Sequence, residues 1–149
     1  MKKDCLYIVM PAYNEEGNIE KVVKEWYPIL KFGNEKSRLV IADAGSVDKT
    51  HDILLKLKKK YPKLEIISDC LKQHGPKLIY MYKYAISNGA DWIFQTDSDG
   101  QTNPKEFEEF WKQRNKYDCL LGNRTKRGDG KARAFVEKEG GHFLGIFIL

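Results

Sequence analysis

Two aspartates separated by a single residue, Asp97 and Asp99, follow directly on the apolar run Trp92–Gln95. Alternate side chains of an extended chain point the same way, so the two carboxylates can converge on one hard divalent cation, Mg²⁺ or Mn²⁺. Open α/β sheets bind their ligands beyond the carboxyl ends of the strands. The pair therefore predicts a metal-assisted binding site at that edge of a sheet.

Two other interpretations of this pair compete with the metal-assisted binding site. An EF-hand loop starting at Asp97 would place Glu108 at its twelfth position, but its sixth position is Thr102 where glycine is needed, and a strand precedes it instead of a helix. Calcium sensing is therefore excluded. A haloacid-dehalogenase-like phosphatase also uses such a pair, with the first aspartate as nucleophile, although Gly100 is followed here by Gln101 instead of the common threonine. The phosphatase stays as an alternative.

Two further predicted strand ends carry polar clusters. The apolar run 6–10 opens into Pro11-Ala-Tyr13-Asn-Glu15, and the run 39–42 opens into Asp43-Ala-Gly-Ser46. An isolated pair of aspartates is most often a solvated turn, but three polar strand ends would face one crevice. Asp43 can accept the ring N–H of uracil or guanine, Tyr13 offers an aromatic face, and a metal can bridge two phosphates. Together they predict a nucleotide-diphosphate site.

At these motifs the chain resembles the family 2 glycosyltransferases of the GT-A fold, the group that contains polyprenyl-phosphate mannosyl- and glucosyltransferases. The similarity runs from about Asp4 to Arg133. Five segments in the family's order carry it: Pro11-Ala-Tyr-Asn-Glu-Glu16, Asp43-Ala-Gly-Ser46 with Asp48 and Thr50, His74-Gly-Pro76, Gln95-Thr-Asp-Ser-Asp-Gly-Gln101, and Gly122-Asn-Arg124 with Arg127 and Asp129.

The resemblance implies transfer of a sugar from a UDP- or GDP-sugar donor, with Asp97 and Asp99 holding the divalent metal on the diphosphate. Many family members have a second acidic residue where this chain has Ala44, so base recognition would rest more heavily on Asp43. The residues assigned to the donor nucleotide by the resemblance are Pro11, Tyr13, Glu15, Asp43, Ser46 and Asp97.

Residues 112–133 contain eight basic and two acidic side chains, a local net charge of +6 that exceeds the +5 of the whole chain. Arginine forks bind phosphate oxygens in pairs, so Arg124, Arg127 and Arg133 can engage a donor diphosphate or an anionic acceptor at a membrane surface. The family associates this segment with phosphate handling and acceptor binding. Asp129 can alternatively pair with an arginine and order the loop. Tyr117 is the one aromatic residue in this segment, whereas nucleic-acid binding would require several interleaved with the basic side chains.

The predicted catalysis stabilises the leaving group, since the metal, Arg124 and Arg127 would offset charge on the departing nucleotide diphosphate. A hydroxyl acceptor on a glycan or lipid also needs a general base, whereas a polyprenyl phosphate is already an anion. The sequence offers no unambiguous base. Asp99 can serve only if the metal does not fully engage it.

Strands and helices alternate along the chain, which predicts an α/β fold with a mostly parallel sheet and flanking helices. Five strands are predicted, the last at 119–121. The first helix should bury Val22, Val23 and Trp26 and end near Pro28. Ser46 is expected to cap the second helix.

The third helix should begin near Pro76, bury an apolar stripe that includes Ile86, and stop at Gly89. Residues 103–106 resemble a capping box that starts a fourth helix. His74 precedes a helix amino terminus, where it serves either as a phosphate contact or as a turn residue. His51 and His142 have no identifiable partner.

One domain over residues 1–149 is expected, because no linker, repeat or low-complexity segment interrupts the sequence. The start lacks a long apolar run, so a cytoplasmic location is expected, with peripheral contact at the inner face of the membrane if the acceptor is lipid-linked. Family members generally continue farther, so residues 140–149, after the fifth strand, should end on apolar side chains that no later element covers. A donor-binding fragment that lacks its acceptor half is the second functional hypothesis. The three cysteines fit reduced, structural thiols.

Overall fold

A computed structural model of the chain describes residues 3–123 and 143–148. These residues form a six-stranded sheet in the order β3-β2-β1-β4-β6-β5. Its strands are β1 (Leu6–Ala12), β2 (Arg38–Asp43), β3 (Leu64–Ile67), β4 (Trp92–Gln95), β5 (Cys119–Asn123) and β6 (Phe143–Ile148). The pairs β1–β2, β1–β4 and β2–β3 are parallel, while β6 runs antiparallel to both β4 and β5.

Four α-helices connect the strands in the described part: α1 (Ile19–Trp26), α2 (Thr50–Lys58), α3 (His74–Ser87) and α4 (Phe107–Gln113). Short 3₁₀ helices occupy Tyr27–Phe32, Pro104–Glu106 and Arg114–Lys116. None of the described helices is long and apolar enough to cross a membrane.

The helices cover the two faces of the sheet unequally. On one face α1, α2 and α4 bury a large core around Trp26, Phe94 and Phe107, with 5.3 Å between the ring centroids of Trp26 and Phe94. On the other face α3 packs Met81 and Ala85 onto β1, β2 and β4. Aromatic pairs of this kind contribute about 0.5–1.5 kcal/mol beyond their buried area. The packing fixes the strand ends that carry the predicted site.

The predicted parallel α/β architecture is confirmed, and so is the buried face of α1. That α-helix ends at Trp26, and the chain continues as a 3₁₀ helix in which Pro28 occupies the first turn, where its missing N–H is not needed. Residues 103–106 do start a helical segment, but it is a 3₁₀ helix that leads into α4 at Phe107; Asn103 Oδ1 accepts a hydrogen bond from the Lys105 backbone N–H at 3.1 Å, which is one half of the predicted capping box.

Two local predictions are wrong. Ser46 does not cap α2, which begins four residues later at Thr50, and Asp48 Oδ1 accepts the Thr50 N–H at 2.9 Å instead. Ile86 is 59% exposed, because the buried stripe of α3 is formed by residues spaced four apart, Lys77, Met81 and Ala85. A lysine in that stripe was not expected.

A sixth strand, which the sequence analysis did not predict, lies at Phe143–Ile148. Its backbone is inserted between β4 and β5, with Ile148 opposite Ile93 and Phe147 opposite Leu120. Phe, Leu and Ile favour strands, so the composition suits this position. The expectation that no element covers this apolar segment is therefore wrong, because β4 and β5, which precede it in the sequence, flank it in the sheet.

Each of the three cysteines, all in the described part, is a free thiol. Cys5 is buried in the sheet, and burial raises the pKa of its thiol above the ordinary value. Cys70 is partly buried and burial again raises the pKa of the thiol, whereas Cys119 is exposed. That the three thiols are reduced and structural stays a prediction, for which the buried Cys5 is the best candidate.

Candidate functional site

A cavity of about 340 Å³ lies where β1 and β4 end and α3 begins. Five residues that the sequence assigned to the donor or metal line it together: Pro11, Tyr13, Glu15, Asp97 and Asp99. The remaining lining residues are Ala12, Lys72, His74, Lys77 and Ser98. Two strand ends thus converge on one cavity, as parallel pairing of β1 with β4 requires.

The acidic pair is held by its neighbours in sequence. Ser98, between the two aspartates, is buried, and its hydroxyl donates to the Pro11 carbonyl oxygen at 2.8 Å. Asp99 Oδ1 accepts the Gln101 backbone N–H at 2.9 Å, across Gly100 with a φ of 75°. The side chain of Ser98 therefore ties the end of β4 to the end of β1, while Asp97 and Asp99 both border the cavity.

The donor set suits a hard divalent cation. Within residues 3–123 and 143–148, no group of three or more His, Cys, Asp and Glu side chains is arranged to hold a metal by itself. Mg²⁺ and similar ions are commonly held by one or two carboxylates together with waters and substrate phosphates. Asp97 and Asp99 fit that mode, in which the protein supplies only part of the coordination shell.

Glu15 adds a third carboxylate to the lining. Its pKa is raised above the ordinary value, mainly because burial disfavours the charged form, and the negative charges of Asp99, Asp48 and Asp97 act in the same direction. The side-chain hydrogen bond from Asn18 Nδ2, at 3.0 Å, opposes the shift. The cavity therefore concentrates negative charge on its β1 and β4 side, which favours a bound cation.

Lys77 is the main lining residue that sequence reasoning missed. It is only 2% exposed, and its Nζ donates to the Ala12 carbonyl oxygen at 2.9 Å, leaving an ammonium with donors to spare beside the cavity. A signal was available in the sequence. Lys77 stands four and eight residues before Met81 and Ala85, so it occupies the apolar stripe of α3, where an unpaired lysine would not be tolerated.

Lys72 reaches the same cavity from the loop between β3 and α3. Its side chain lies over Gly45, which has a φ of +88°, and a Cβ built on Gly45 would meet Lys72 Cε at 2.8 Å. The glycine thus permits both the left-handed backbone and the close approach of the lysine. Lys72 and Lys77 form a basic wall on the α3 side of the cavity, with His74 beside them, and together with the acidic lining this suits an anionic ligand carrying a metal.

Asp43 and Ser46 do not line this cavity. Leu39 and Ile41 face the core under α1 and α2, and Asp43 follows them at the same two-residue period, so its side chain points toward α2. The buried Asp43 carboxylate accepts the Ser46 hydroxyl at Oδ1, and its Oδ2 lies 3.1 Å from His51 Nδ1. The expectation that His51 has no partner is therefore wrong. The assignment of Asp43 and Ser46 to the donor nucleotide stays a prediction.

The segment after β2 instead holds the segment after β1. Three consecutive backbone N–H groups, those of Asn14, Glu15 and Glu16, donate to side chains of the second loop. The acceptors are Ser46 Oγ at 2.9 Å, Thr50 Oγ1 at 2.8 Å and Asp48 Oδ2 at 3.1 Å. In return, Asn14 Oδ1 accepts the Val47 N–H at 2.9 Å and Glu16 Oε2 accepts the Lys49 N–H at 3.0 Å. The polar side chains at 46–50 thus fix the backbone of residues 14–16, which includes the cavity-lining Glu15 and directly follows the cavity-lining Tyr13.

A larger groove of about 570 Å³ lies between α1 and residues 100–108. Its charged lining residues are Lys21 and Glu25 of α1, Lys31 and Lys105 of two 3₁₀ helices, and Glu108 of α4, and none of the predicted site residues borders it. The chemistry therefore concentrates in the smaller cavity. Arg124 and Arg127, predicted to be catalytic, lie outside the described residues, as do Asp129, Arg133 and His142.

The model of the family described as Glycosyl transferase family 2 matches residues 7–145 of this chain. The chain belongs to glycosyltransferase family 2. The match includes both strand ends of the cavity and the acidic pair after β4. Membership favours the transferase over the phosphatase interpretation of that pair.

Two curated relatives illustrate the family context. A dolichyl-phosphate beta-glucosyltransferase of Trichomonas vaginalis is 30% identical over 108 residues, which cover 69% of this chain and 33% of that protein. An undecaprenyl-phosphate 4-deoxy-4-formamido-L-arabinose transferase of Photorhabdus laumondii is 29% identical over 133 residues, covering 88% of this chain and 40% of that protein. The chain thus spans less than half the length of these two relatives.

Solved structures share the fold. A mannosyltransferase of Pyrobaculum calidifontis, determined with GDP-Man and Mn²⁺, superposes with a TM-score of 0.68 at 18% identity, covering 85% of this chain and 37% of that one. A glucosyl-3-phosphoglycerate synthase of Mycobacterium tuberculosis, determined with Mn²⁺, UDP and phosphoglyceric acid, gives 0.62 at 18% identity, covering 91% and 49%. The predicted GT-A fold is confirmed.

Proposed function

We propose that this domain binds a UDP- or GDP-sugar in the 340 Å³ cavity and transfers the sugar to an acceptor, for which a polyprenyl phosphate is the best candidate. One observation carries the proposal: the acidic pair after β4 and the basic wall of Lys72 and Lys77 border the same cavity. The two curated relatives are named for transfer to or from lipid-linked phosphates, and the two solved neighbours contain a guanosine or uridine nucleotide with Mn²⁺.

In the proposed donor complex, Asp97 and Asp99 hold Mg²⁺ or Mn²⁺ through carboxylate oxygens. When bound, the cation offsets negative charge on the diphosphate. Lys77 presents its remaining ammonium donors from a buried position in the basic wall, and Lys72, whose side chain lies over Gly45, belongs to the same wall. Tyr13 is exposed at the mouth and offers an aromatic face to the base or sugar.

The reaction breaks the bond between the anomeric carbon and the diphosphate oxygen, while an acceptor oxygen forms the new bond to that carbon. The electron pair of the broken bond leaves on the nucleotide diphosphate, so positive charge close to its phosphates lowers the barrier. Arg124 and Arg127 are proposed to add to that charge. A polyprenyl phosphate attacks as an anion and needs no general base, so Asp99 can hold the metal without also having to accept a proton.

Titration calorimetry of UDP and GDP in the presence of Mn²⁺ tests donor binding. We expect micromolar affinity for one nucleotide, lost on removal of Mn²⁺ and strongly weakened by Asp97→Asn, which keeps the shape of the side chain. The matched control is Asp52→Asn, because Asp52 is exposed on α2 and does not line the cavity. Asp91→Asn is unsuitable, because Asp91 accepts the Cys5 N–H at 2.7 Å. Binding of neither nucleotide would refute the donor site.

Transfer is tested separately with a radiolabelled nucleotide sugar and a polyprenyl phosphate in detergent. Product formation supports the transferase, which we propose to act as a single domain at the cytoplasmic face of a membrane. Nucleotide binding without product supports the second hypothesis, a donor-binding module that requires another segment or chain for the acceptor. Hydrolysis of small phosphoesters that is lost in the Asp97→Asn variant would support the phosphatase alternative.

A further inference from the structure

His51 makes a contact that the donor site described above does not use directly. It lies in the first turn of α2, with 40% of its side chain exposed, and its Nδ1 is 3.1 Å from Oδ2 of the almost fully buried Asp43. A buried carboxylate needs hydrogen-bond donors for both oxygens, because an unsatisfied charged oxygen is costly in the interior. The Ser46 hydroxyl supplies the donor for Oδ1. His51 therefore supplies the donor for the second carboxylate oxygen of Asp43, Oδ2.

The contact continues into the loop that borders the cavity. The Ser46 hydroxyl has one proton, which it donates to Asp43, so its lone pair is left to accept the backbone N–H of Asn14 at 2.9 Å. Asn14 is the sole non-glycine residue with a positive φ in the described part of the chain, at 53°. It stands between Tyr13 and Glu15, which both line the cavity.

A left-handed backbone at a non-glycine residue persists only where its surroundings hold it. Two bonds hold Asn14: its N–H to Ser46 and the Val47 N–H to its own side-chain oxygen at 2.9 Å. The orientation of the Ser46 hydroxyl depends on Asp43, and the orientation of the Asp43 carboxylate depends on a donor at Oδ2. His51 is thus the outermost member of a series of bonds that ends at the donor loop.

We propose that His51 is a positioning residue of the donor site, which acts through Asp43 and Ser46 to fix the conformation of Tyr13, Asn14 and Glu15. The inference rests on the proposed donor-binding function. His51 does not touch the nucleotide in this role. Its imidazole carries a proton on Nδ1 and donates it to Asp43, and loss of that donor lets the carboxylate turn and releases the Ser46 hydroxyl from its single orientation.

The atom that makes the contact provides a sharp test. The amide nitrogen of asparagine falls close to the position of histidine Nδ1, whereas that of glutamine falls close to Nε2. We therefore expect His51→Asn to keep the donor to Asp43, and His51→Gln and His51→Ala to lose it. Lys56→Ala, an exposed residue of the same helix, is the matched control.

Two measurements are made on each variant. Amide hydrogen exchange followed by NMR reports on the Asn14 N–H without any ligand, and we expect exchange about tenfold faster in H51A and H51Q, with wild-type rates in H51N and K56A. Calorimetry with Mn²⁺ and whichever of UDP or GDP the wild type binds reports on the site. We expect about tenfold weaker binding in H51A and H51Q and affinity within twofold of wild type in H51N, at a temperature where all variants are folded.

The outcomes separate this inference from the proposed function. If the wild type binds neither nucleotide, the donor proposal fails, and Asn14 exchange then decides the role of His51 by itself. If the wild type binds but H51A binds equally well, or if H51Q restores exchange and affinity as well as H51N does, the positioning role is overturned. A loss of stability in H51A with unchanged Asn14 exchange would also overturn it, because it would indicate a packing role alone.

Discussion

Replacing Thr50 by valine removes the hydroxyl that joins the two loops at the carboxyl edge and keeps the shape of the side chain. Thr50 is completely buried at the start of α2. Its Oγ1 accepts the Glu15 N–H at 2.8 Å and donates to Asp48 Oδ1 at 2.5 Å. No other acceptor for the Glu15 N–H is found among the described residues, so valine should leave that group unpaired.

The size of the effect follows from this single N–H. Leaving a buried or partly buried donor without an acceptor costs about 1–3 kcal/mol. Asp48 keeps its bonds from the backbone N–H groups of Thr50 and Glu16, so its loss is small by comparison. For a domain of about this size, each kcal/mol lowers Tm by about 2–4 °C. The Thr50→Val variant should therefore melt several degrees below the wild type.

Urea denaturation followed by far-UV circular dichroism measures the change in the free energy of unfolding, with an unchanged m-value showing that the same surface is exposed. Thr50→Ser is the matched control, because it keeps the hydroxyl and loses only a methyl group, worth about 0.8 kcal/mol. Hydrogen exchange of the Glu15 N–H should accelerate in the valine variant and not in the serine variant. A valine variant within about 0.5 kcal/mol of wild type, with a protected Glu15 N–H, would refute the reasoning.

Three further predictions concern the cavity. Lys77→Met removes a charged donor from a buried position, so nucleotide affinity measured by calorimetry should fall about 10–100-fold, the equivalent of a hydrogen bond to a charged group. Glu15→Gln should raise Tm at neutral pH in the absence of divalent cations, because the raised pKa of Glu15 means that folding opposes its ionised form; the gain should disappear as the pH is lowered below about 4, where the carboxyl is protonated in both states. Gly45→Ala should reduce the free energy of unfolding in urea by about 1–2 kcal/mol, since its φ is +88° and the new methyl would displace Lys72.

Each of these predictions has a matched control. Lys83→Met, at an exposed position of α3, should leave nucleotide affinity unchanged, and equal affinity in Lys77→Met would show that Lys77 does not face the ligand. A Tm gain in Glu15→Gln that persists at acidic pH would have to come from packing and not from charge. Gly17→Ala meets no atom within 4 Å, so an equal loss at positions 17 and 45 would contradict the argument from φ and Lys72.

The strands that carry the site could be predicted from the sequence because their pattern is local. Apolar runs of four to seven residues followed by turn residues identify β1, β2 and β4, and the acidic pair Asp97 and Asp99 directly follows the last of them. The meeting of Pro11, Tyr13 and Glu15 with that pair follows from the parallel order of the strands.

Other parts of the site depended on contacts between distant segments. Asp43 continues the two-residue period of Leu39 and Ile41, which turns its side chain away from the cavity, but this direction is known only once the faces covered by α2 and α3 are known. His51 was left without a partner because nothing in its neighbourhood identifies Asp43 as a buried acceptor. β6 was not predicted because it pairs with strands that lie far from it in the sequence, about 50 residues away for β4 and about 25 for β5.

Local patterns in the sequence suffice to predict the alternation of strands and helices, the acidic pair that follows β4 and the family to which the chain belongs. Which polar side chains line the cavity, and which hold its loops, becomes clear only from the folded chain. Lys77 of α3 lines the cavity, and Ser46, expected to cap α2, instead accepts the backbone N–H of Asn14. The difference arises from the distance along the sequence over which each effect acts. Periodicity and turn chemistry act over a few residues, whereas the burial of a lysine or a carboxylate depends on which distant segments supply its hydrogen-bond partners.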